Sequence, residues 1–552
     1  MIVFLQNEQV CQRVAMNPGV VDLSSVGREQ ELISSLLHTT RYPHPVENVR
    51  LIETHISWVI LTGHFAYKIK KPIKLEFLDF SSLALRKHFC DEELRLNRRW
   101  SPELYLDVVP ICGSFAEPMI GGTGPAIEYA VKMRQFPQSA QLDVQLDAGL
   151  LDDDDMLDLA AMIAARHDAA EIFAQTNAEV AVGAIVQQPM LQNFADLRAH
   201  ASPDQLTQLS SWTRNSLRDL WPTLLKRQNE GFIRECHGDL HLRNLVRLSS
   251  GIAAFDCVEF SSGLRNIDVI SDVSFLMMDL MSRGRRDLAY VFLNRYLECT
   301  GDYAGMSVFG LYYVYHALIR AKIAAIRSIE RSDASHRQAD LEEMAQFCNV
   351  ASDWIRPQRP CLIIMHGYSG SGKTCLSQQL LSRLPAIRLR SDIERKRRHG
   401  LEMTEASGAG VGKGMYAPRA RSDIYAVLAM AGETLLQAGQ HVIADASFLN
   451  RQDRRQFEYL ARRFGADFII VDVGAETEEL LHRVRLRKRH ASDASEADEN
   501  VLQYQYDNAQ PLSADELQRT VSVATDDEVD AGAVTEKIIG ALTPSVHRSR
   551  PS

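Results

Sequence analysis

The chain has 552 residues, of which 45% are hydrophobic and 7% aromatic, so it has enough apolar side chains for two or three domain cores. Its formal net charge of -10 argues against bulk binding to nucleic acid or anionic membranes, which requires a dense basic surface. No apolar run approaches the roughly 20 residues of a membrane span, and the N-terminal residues lack a signal-peptide pattern. We therefore expect a cytoplasmic protein.

The first part of the chain is predicted to contain strands and one helix. Residues 57–72 alternate in polarity around a Thr62–Gly63 turn, which predicts a β-hairpin. The patterns that follow are one helix and two strands, at 82–100, 104–111 and 127–136. We expect the small lobe of an α+β domain at about 50–135, within a domain that extends over 1–355.

From about residue 150 the pattern becomes helical. Apolar residues recur at intervals of three and four, and helices are predicted at 204–229, 268–299, 309–331 and 338–355. These helices flank a more extended stretch at 235–260. They predict a helical lobe over about 136–355.

The extended stretch reads ECHGDLHLRNLVRLSSGIAAFDCVEF and has the spacing of a kinase catalytic loop. Asp239 precedes Asn244 with four residues between them, so Asp239 can meet an acceptor hydroxyl while Asn244 turns back onto Mg²⁺. Seventeen residues after Asp239, an apolar strand delivers Asp256 as a second metal-binding acid. A zinc site at His237 and His241 is an alternative, but Gly-Asp-Leu between them disfavours a helix and the sequence offers no evident third ligand.

This stretch resembles aminoglycoside phosphotransferases, whose pattern is HGDLHxxN followed by an aspartate-bearing strand. Residues from about 50 to 350 resemble the N-terminal half of bacterial bifunctional aminoglycoside phosphotransferase/ATP-binding proteins. The segments that carry this resemblance are ETHISWVILTGHFAYKIKKP, LDFSSL, HFCDEELRLNRR, PELYL and DCVEFSSGLRNIDVISDVSFLMMDL. The resemblance implies a protein-kinase-like fold that binds Mg-ATP.

In that fold a strand lysine binds the α- and β-phosphates and pairs with a helical glutamate. The resemblance assigns these roles to Lys68 and Glu93, with Lys70, on the same strand face, and Glu92 as the alternatives. The sequence differs from the pattern of these kinases at two places. No GxGxxG loop precedes Lys68, and Asp256 is followed by Cys-Val-Glu instead of Phe-Gly.

A change of pattern separates this part from the rest of the chain. Residues 356–360, RPQRP, predict a short stiff linker, since their prolines end the preceding helix. Beyond them, apolar strands alternate with helices, which predicts a parallel sheet covered by helices. We expect an α/β P-loop domain at 361–543 and a disordered tail at 544–552.

A phosphate-binding loop opens this second domain. Its sequence matches GxxxxGK[ST] completely and lies between an apolar strand and a helical pattern. The predicted ATP-binding residues are Gly367, Tyr368, Ser369, Gly370, Ser371, Gly372, Lys373 and Thr374. The glycines let backbone N–H groups curl around the phosphates, Lys373 reaches the β- and γ-oxygens, and Thr374 offers its hydroxyl to Mg²⁺.

Three further features complete the predicted downstream site. Asp392 stands at the predicted end of the second strand, where it would face the acceptor hydroxyl, cap the next helix, or do both. Asp445 ends an apolar strand and is expected to hold the metal ion through water. Arg483 and Arg487 belong to the basic run 483–490, which is either a lid that closes on the transferring phosphoryl group or a solvated helix face.

Residues from 361 to about 543 resemble the AAA_33-type P-loop kinases, which are related to zeta toxins, chloramphenicol phosphotransferase and polynucleotide 5′-hydroxyl kinase. The motifs that carry this resemblance are GYSGSGKT, RSDIERKR, VIADASFLNRQDR and RKRHASDASEAD. A second glycine cluster, GAGVGKG at 408–414, follows no strand and lacks Ser or Thr after its Gly-Lys. We interpret it as a mobile loop that covers the substrate.

These observations predict two kinase modules, each transferring the γ-phosphoryl group of Mg-ATP to a hydroxyl group of a small molecule. Sugars, aminoglycoside-like amino sugars, choline-like alcohols and nucleotide sugars are all compatible acceptors. An alternative makes the upstream half a nucleotide-binding regulatory pseudokinase. It would control a downstream kinase of toxin-like or nucleic-acid-end type.

Overall fold

The computed structural model describes residues 23–75, 78–174, 178–402, 405, 418–490 and 498–542. These residues form two compact units. The units comprise the described parts of Met1–Leu151, Ala165–Ser282 and Leu311–Ile355, and of Asp152–Ala164, Arg283–Gly310 and Arg356–Ser552. The predicted linker at 356–360 is therefore only the last point where the chain passes from one unit to the other. The predicted tail and the GAGVGKG cluster lie outside the described residues.

Helices and strands follow the chain in three groups. Up to residue 151 they are α1 Leu23–Leu36, β1 Arg50–Glu53, β2 Ser57–Leu61, β3 Phe65–Lys70, β4 Lys74–Leu75, β5 Leu78–Asp79, α2 Leu83–Trp100, β6 Tyr105–Gly113, β7 Pro118–Ile120, β8 Ala126–Arg134 and α3 Leu142–Asp147. From 152 to 355 they are α4 Asp153–Asp168, α5 Ala178–Val182, α6 Gln188–Leu197, α7 Pro203–Asn229, β9 Ile233–Glu235, β10 Leu245–Leu248, β11 Gly251–Ala254, α8 Ser262–Arg265, β12 Asn266–Asp268, α9 Val269–Ser282, α10 Arg286–Thr300, α11 Met306–Glu330 and α12 Ala334–Trp354. After 355 they are β13 Cys361–His366, α13 Lys373–Leu381, β14 Ala386–Arg390, α14 Ser391–Arg398, α15 Pro418–Gln437, β15 His441–Asp445, α16 Arg451–Arg463, β16 Asp467–Gly474, α17 Thr477–His490, α18 Glu499–Asn508, α19 Ala514–Leu517, β17 Thr520–Ala524 and α20 Ala531–Ala541.

The first unit contains a six-stranded antiparallel sheet in the order β1-β2-β3-β8-β6-β7. Its β2–β3 pair is the predicted hairpin. Because side chains alternate across a strand, β3 buries Tyr67 and Ile69 in one core on the α1 side, while Lys68 and Lys70 project to the other face. That face meets α2, whose start is capped by Ser82 accepting a hydrogen bond from the backbone N–H of Leu85 at 3.2 Å.

Helices dominate the remainder of the first unit, as predicted. Every residue of α9 from Val269 to Leu280 is buried, and a helix that is buried on all sides belongs to the centre of a core. The predicted helix at 268–299 is two helices, α9 and α10, and the break is accompanied by Gly284 at a φ of 75°. Only α9 belongs to the first unit.

The second unit contains a five-stranded parallel sheet in the order β14-β15-β13-β16-β17. The central strand β13 is buried from Cys361 to Met365, as expected for a parallel sheet covered on both faces. One face packs against α13 and α20 through a core that includes Ile363, Leu380 and Ile538. The predicted fold classes, an α+β protein-kinase-like unit and an α/β P-loop unit, are both confirmed.

An asparagine from α10 closes one edge of this parallel sheet. Asn294 donates from Nδ2 to the carbonyl oxygen of Ala386 at 2.9 Å, and its Oδ1 accepts from the backbone N–H of Arg388 at 2.6 Å. The side-chain amide thus makes the two hydrogen bonds that a neighbouring strand would make with β14. Glu298, one helical turn further along α10, binds the Arg388 guanidinium at 2.7 Å.

Candidate active sites

A buried carboxylate anchors the predicted catalytic loop of the first unit. Asp272 on α9 accepts hydrogen bonds from the backbone N–H groups of His237 at 2.7 Å and Gly238 at 2.9 Å. Gly238 has a φ of 83°, and a Cβ atom there would lie 2.6 Å from the carbonyl oxygen of Leu264. The loop therefore requires glycine at this position.

His237 supports the loop as a neutral imidazole. Its Nε2 lies 3.0 Å from the carbonyl oxygen of Phe255, which can only accept, so Nε2 carries the proton. Its Nδ1 accepts from the backbone N–H of Asp239 at 3.3 Å. Burial lowers the pKa of His237, in agreement with this neutral state. Since both ring nitrogens are engaged, the ring is a poor zinc ligand.

Asp239 and Asn244 come together as their spacing predicts. Asn244 Nδ2 donates to the Asp239 carbonyl oxygen at 2.9 Å and to its carboxylate Oδ2 at 3.2 Å. Asn244 Oδ1 is buried and has no hydrogen-bond partner among the described residues. An unsatisfied buried amide oxygen is costly, and an oxygen ligand is what Mg²⁺ prefers. Asn244 thus fits the metal-binding role assigned to it from the sequence.

Lys68 on β3 forms ion pairs with an acid of α2 and with an acid of the turn that follows β11. Its Nζ lies 2.8 Å from Glu93 Oε1 and 2.5 Å from Asp256 Oδ1. Burial alone would lower the pKa of Lys68, but the carboxylates of Asp256 and Glu93 outweigh it and raise that pKa well above its ordinary value. Lys68 is therefore charged in the folded chain. Glu92, the alternative partner, pairs with Arg95 at 2.9 Å instead.

The backbone at Asp256 is held in an uncommon conformation. Its φ is 66°, a region that residues other than glycine seldom occupy, and such outliers cluster at functional sites. Its N–H donates to the phenolic oxygen of Tyr105 at 3.0 Å, and the next N–H, of Cys257, donates to Asn97 Oδ1 at 2.9 Å. These bonds keep the Asp256 carboxylate directed at Lys68.

The connection that precedes Lys68 is a tight hairpin turn. The backbone N–H and the hydroxyl of Thr62 both donate to the carbonyl oxygen of Phe65, at 2.9 and 2.8 Å. Gly63 has a φ of 93° and gives its N–H to Gln135 Oε1 at 2.8 Å. This two-residue turn is much shorter than a GxGxxG loop. Nucleotide phosphates would therefore be covered by less backbone than in kinases with that loop.

A second cluster of potential metal ligands lies behind the catalytic loop. Within the described ranges, His167, Cys236 and Asp272 form the one group of three such side chains whose ligand atoms lie within 4.8 Å of each other. Asp272 is already bound to the loop backbone, and burial raises the pKa of the Cys236 thiol well above its usual value. Since thiolate is the metal-binding form, we interpret this cluster as structural support.

The phosphate-binding loop of the second unit begins where two strand ends meet. Gly367 follows β13 with a φ of 141°, and a Cβ atom there would collide with the carbonyl oxygen of Val473 on β16. The Gly367 N–H donates to the carbonyl oxygen of Ser447 at 3.1 Å. The loop is thus fixed at its start between β15 and β16, at the carboxyl edge of the sheet.

The predicted nucleotide and metal residues lie together at this edge. Lys373 Nζ donates to the carbonyl oxygen of Tyr368 at 2.6 Å within the loop. Ser377, one turn after Thr374 on α13, donates from Oγ to Asp445 Oδ2 at 2.9 Å and to the carbonyl oxygen of Thr374 at 3.0 Å. The buried Asp445 carboxylate and the first turn of α13 are therefore adjacent. They fit an oxygen-liganded Mg²⁺ ion.

Asp392 lies two residues beyond the end of β14, in the first turn of α14. Its carboxylate pairs with Arg395 at 2.7 Å. The last residues of β14 and β15, Arg390 and Asp445, are register partners, so Asp392 stands near the same sheet edge as the phosphate-binding loop. The N-cap of α14 is Arg390, so the prediction that Asp392 caps this helix is wrong. Its predicted role towards the acceptor hydroxyl stays a prediction.

Arg483 contacts the phosphate-binding loop from α17. Its guanidinium donates to Thr525 Oγ1 at 3.0 Å and lies 3.5 Å from the carbonyl oxygen of Gly370. It also pairs with Glu479 at 2.6 Å. Arg487, the other predicted lid arginine, has a side chain outside the described residues.

Helix α18 provides neighbours that the sequence interpretation did not include. Gln505 Oε1 accepts from the backbone N–H of Ser369 at 2.8 Å, and Tyr506 packs on Tyr368 with ring centroids 4.5 Å apart. The local sequence QYQY after the basic run was the available signal, but it matches no phosphate-binding pattern. The Gln505 side-chain oxygen thus occupies a backbone N–H of the phosphate-binding loop, that of Ser369.

Comparisons with known proteins give one family match and several relatives. Residues 362–512 match the family model described as AAA domain, AAA_33, so the second unit contains an AAA_33-type P-loop domain. An uncharacterized protein of Mycobacterium tuberculosis is 27% identical over 466 residues, which cover 82% of this chain and 89% of that protein. An uncharacterized protein of Mycobacterium bovis has the same identity and coverage.

Two solved kinase structures have low similarity to the chain. A choline/ethanolamine kinase family protein from Mesorhizobium loti covers 60% of this chain and 95% of its own, at 9% identity and a TM-score of 0.37. A gluconokinase from Sinorhizobium meliloti covers 33% of this chain and 93% of its own, at 17% identity and a TM-score of 0.24.

Proposed function

We propose that the chain is a phosphotransferase with two kinase modules, each transferring the γ-phosphoryl group of Mg-ATP to a hydroxyl group of a small molecule. The resemblance of the sequence to the proteins called bifunctional aminoglycoside phosphotransferase/ATP-binding proteins supports this proposal. The observation that carries the proposal is the contact of Asp239 with Asn244, whose buried Oδ1 has no hydrogen-bond partner among the residues that the structure describes. A catalytic acid beside an unsatisfied oxygen ligand is the arrangement that phosphoryl transfer requires.

In the upstream module, Lys68 binds the α- and β-phosphates and Glu93 holds the lysine in place. Asp239 accepts the proton of the acceptor hydroxyl as its oxygen attacks the γ-phosphorus. Asn244 Oδ1 and the Asp256 carboxylate would hold Mg²⁺, and the ion would supply positive charge next to the phosphoryl oxygens. The Asp272 carboxylate keeps the loop that carries Asp239 in position.

In the downstream module, the N–H groups of residues 367–374 and the Lys373 ammonium hold the phosphates. Thr374 and Asp445 supply the oxygen ligands for Mg²⁺, the aspartate through water. Asp392 orients or deprotonates the acceptor hydroxyl, and Arg483 stabilises negative charge from the side of α17. Positioning and charge stabilisation account for most of the catalysis in this class of reaction.

The resemblance indicates the chemical class of the acceptor molecules and not their identity. Sugars, aminoglycoside-like amino sugars and choline-like alcohols fit a kinase-type site that activates a hydroxyl group. The acidic segment at 152–155 is one possible attraction for a cationic acceptor. However, Asp155 and Asp152 cap each other's backbone N–H groups at the start of α4, at 3.0 and 3.2 Å, which favours a structural role.

A regulatory upstream module is the second candidate, and the tight turn at Thr62–Gly63 favours it. A nucleotide that is covered by so short a turn could be bound and sensed without being turned over. In that case the upstream unit would control a downstream kinase of toxin-like or nucleic-acid-end type. This candidate predicts that Asp239→Asn leaves total phosphoryl transfer intact.

Product profiling decides between these candidates. A metabolite extract is incubated with ATP and with the wild-type, Lys373→Ala or Asp239→Asn protein, and new phosphorylated compounds are identified by mass spectrometry. Two products, each lost in one variant, support two independent kinases. A product set that Asp239→Asn leaves unchanged supports the regulatory candidate, and the absence of any product contradicts both. Labelling of 5′-hydroxyl oligonucleotides tests the nucleic-acid-end alternative.

A further inference from the structure

A second lysine lies beside Lys68 on the same face of β3. The Lys70 side chain is fully buried, and its Nζ lies 2.7 Å from Glu93 Oε2. Glu93 therefore gives one carboxylate oxygen to each lysine. A single strand lysine is sufficient to pair with the helical glutamate and contact phosphates, so the upstream mechanism leaves Lys70 without a role.

The second ion-pair partner of Lys70 shows what this lysine does. Lys70 Nζ also pairs with the carboxylate of Glu259, which is 3% exposed and lies three residues after Asp256. Lys70 thus connects the helix that carries Glu93 to the turn that carries Asp256. Lys68 makes the same connection directly, through Glu93 and Asp256.

Further contacts hold α2 against the same region of the unit. Asn97 Oδ1 accepts from the backbone N–H of Cys257 at 2.9 Å. Arg95 and Arg99 on α2 both pair with Glu235 at the end of β9, at 2.7 and 2.9 Å. Glu235 lies two residues before the catalytic-loop motif. The helix is therefore tied to the strand before that motif and to the metal-binding turn.

Positive and negative charges are unequal in number among these five side chains, of which all but the partly buried Asp256 are buried. Lys68 and Lys70 carry two positive charges against three carboxylates, those of Glu93, Asp256 and Glu259. Glu93 contacts both ammonium groups, and they lower its pKa despite burial. Burial raises the pKa of Glu259, whose carboxylate pairs with Lys70 within the described ranges. A buried ammonium or carboxylate left without its partner is strongly unfavourable, so Lys70 and Glu259 depend on each other.

We propose that Lys70 and Glu259 are positioning residues that assemble the upstream nucleotide site before ATP binds. This inference rests on the proposed nucleotide binding by the upstream unit. The Lys68–Glu93 pair can be broken by a movement of α2 only if the Lys70–Glu93 contact is broken as well. The pair that orients the phosphates is therefore fixed by the fold.

The test measures ATP binding by equilibrium dialysis with labelled ATP, with and without Mg²⁺. Every protein carries Lys373→Ala, so that the downstream loop contributes little. The variants are Lys70→Met, Glu259→Gln and the double variant Lys70→Met/Glu259→Gln. Lys74→Met is the matched control, since Lys74 is 71% exposed and pairs only with Asp79 at the surface.

We expect the double variant to remain folded, because it removes both members of a buried pair. Its affinity for ATP should fall by about tenfold or more, since binding must then select the assembled arrangement from a mixture. Backbone amides of α2 should exchange faster in hydrogen–deuterium exchange, and Lys70→Arg should restore part of the affinity. A double variant with parental affinity and parental α2 exchange would overturn the inference while leaving the proposed function intact.

Exchange in the chain with Lys373→Ala alone gives a second test, which does not depend on whether the buried variants fold. If the site is assembled in advance, saturating ATP should leave the exchange of α2 amides unchanged within about twofold while slowing that of residues 237–244. Strong slowing in α2 on ATP addition would contradict the inference. An upstream unit that binds no ATP at all would instead remove the proposed function on which it rests.

Discussion

Asn244 donates its amide hydrogens to Asp239 at 2.9 and 3.2 Å and leaves its own carbonyl oxygen buried without a partner among the described residues. Asp239 and Asn244 therefore have different roles in the upstream loop. Asp239 restrains the side chain of Asn244, and the remaining amide oxygen is available to a ligand. Proteins rarely leave such an atom unsatisfied, and under the proposed function Mg²⁺ would be its partner.

Replacing Asn244 should raise the Mg²⁺ requirement of the upstream module. We expect Asn244→Ala to need at least about tenfold more Mg²⁺, because even changes to residues outside the ligand set typically cost 10- to 100-fold in metal affinity. The measurement is a Mg²⁺ titration of product formation in a Lys373→Ala background. Asn193→Ala is the control, since Asn193 is also buried with an unsatisfied amide nitrogen but lies on α6. An unchanged titration would argue against a metal-binding role for Asn244.

Substitution of Gly367 should abolish the downstream site. Gly367→Ala places a Cβ atom against the carbonyl oxygen of Val473 at a backbone angle that favours glycine. We expect the variant to lose ATP binding, measured by equilibrium dialysis in a Lys68→Met background so that the upstream unit contributes little. Gly474→Ala is the control, because no atom lies within 4 Å of a Cβ added there. Normal binding by Gly367→Ala would mean that the loop start rearranges readily.

The amide that closes the edge of β14 should contribute measurably to stability. Asn294→Ala removes the two hydrogen bonds to β14 and leaves the Ala386 carbonyl and the Arg388 N–H without those partners, which should cost about 1–3 kcal/mol. Thermal denaturation should show a lower Tm for the second unit. Asn508→Ala is a matched control because Asn508 donates to a carbonyl four residues earlier, as Asn294 also does, but from an exposed position. Equal Tm values for the two variants would contradict the edge-closing role.

Acid should destabilise the first unit through His316. Burial lowers the pKa of His316 from 6.5 to about 4, and the ring lies against Phe275 with centroids 4.3 Å apart. The unfolded chain takes up a proton near pH 6.5 that the folded chain accepts only near pH 4, so stability falls as the pH drops through this window. His316 alone should contribute a loss of about 1 kcal/mol between pH 7.5 and 5.5.

The measurement for His316 is urea denaturation of the first unit at both pH values. His316→Gln should show a smaller pH dependence than the wild type, while His38→Gln, at an exposed position, should match the wild type. His237 and His241, whose pKa values are also lowered by burial, should sustain part of the dependence in every variant. A pH dependence that His316→Gln leaves unaltered would show that the His316 ring titrates normally.

The sequence predicted best where a function imposes a local pattern. The loop at 367–374, the spacing of Asp239 and Asn244, and the β2–β3 hairpin all depend on residues that are close in the chain, so periodicity and spacing were sufficient. The distinction between Glu93 and Glu92 required the structure. Both lie on one helix, and only the orientation of α2 shows which of them meets Lys68.

Contacts between segments that are distant in the chain could not be predicted from local sequence patterns. Glu259 lies 189 residues from Lys70, and Gln505 lies 136 residues from Ser369, so no local pattern connects them. One signal was available for Glu259, because a second lysine on a buried strand face needs a second acid. No corresponding signal pointed to Asn294, since asparagine within a helix more commonly faces solvent.

The position of α10 determines which residues an isolated downstream unit must include. Cleaving the chain at the proline-containing segment 356–360 would yield a fragment without Asn294 and Glu298. The first strand after α13 would then present a bare row of peptide groups, and Arg388 would lose its buried counter-ion. Exposed strand edges of this kind promote self-association. A soluble downstream fragment therefore has to carry Arg283–Gly310, joined by a designed connection or supplied as a separate peptide.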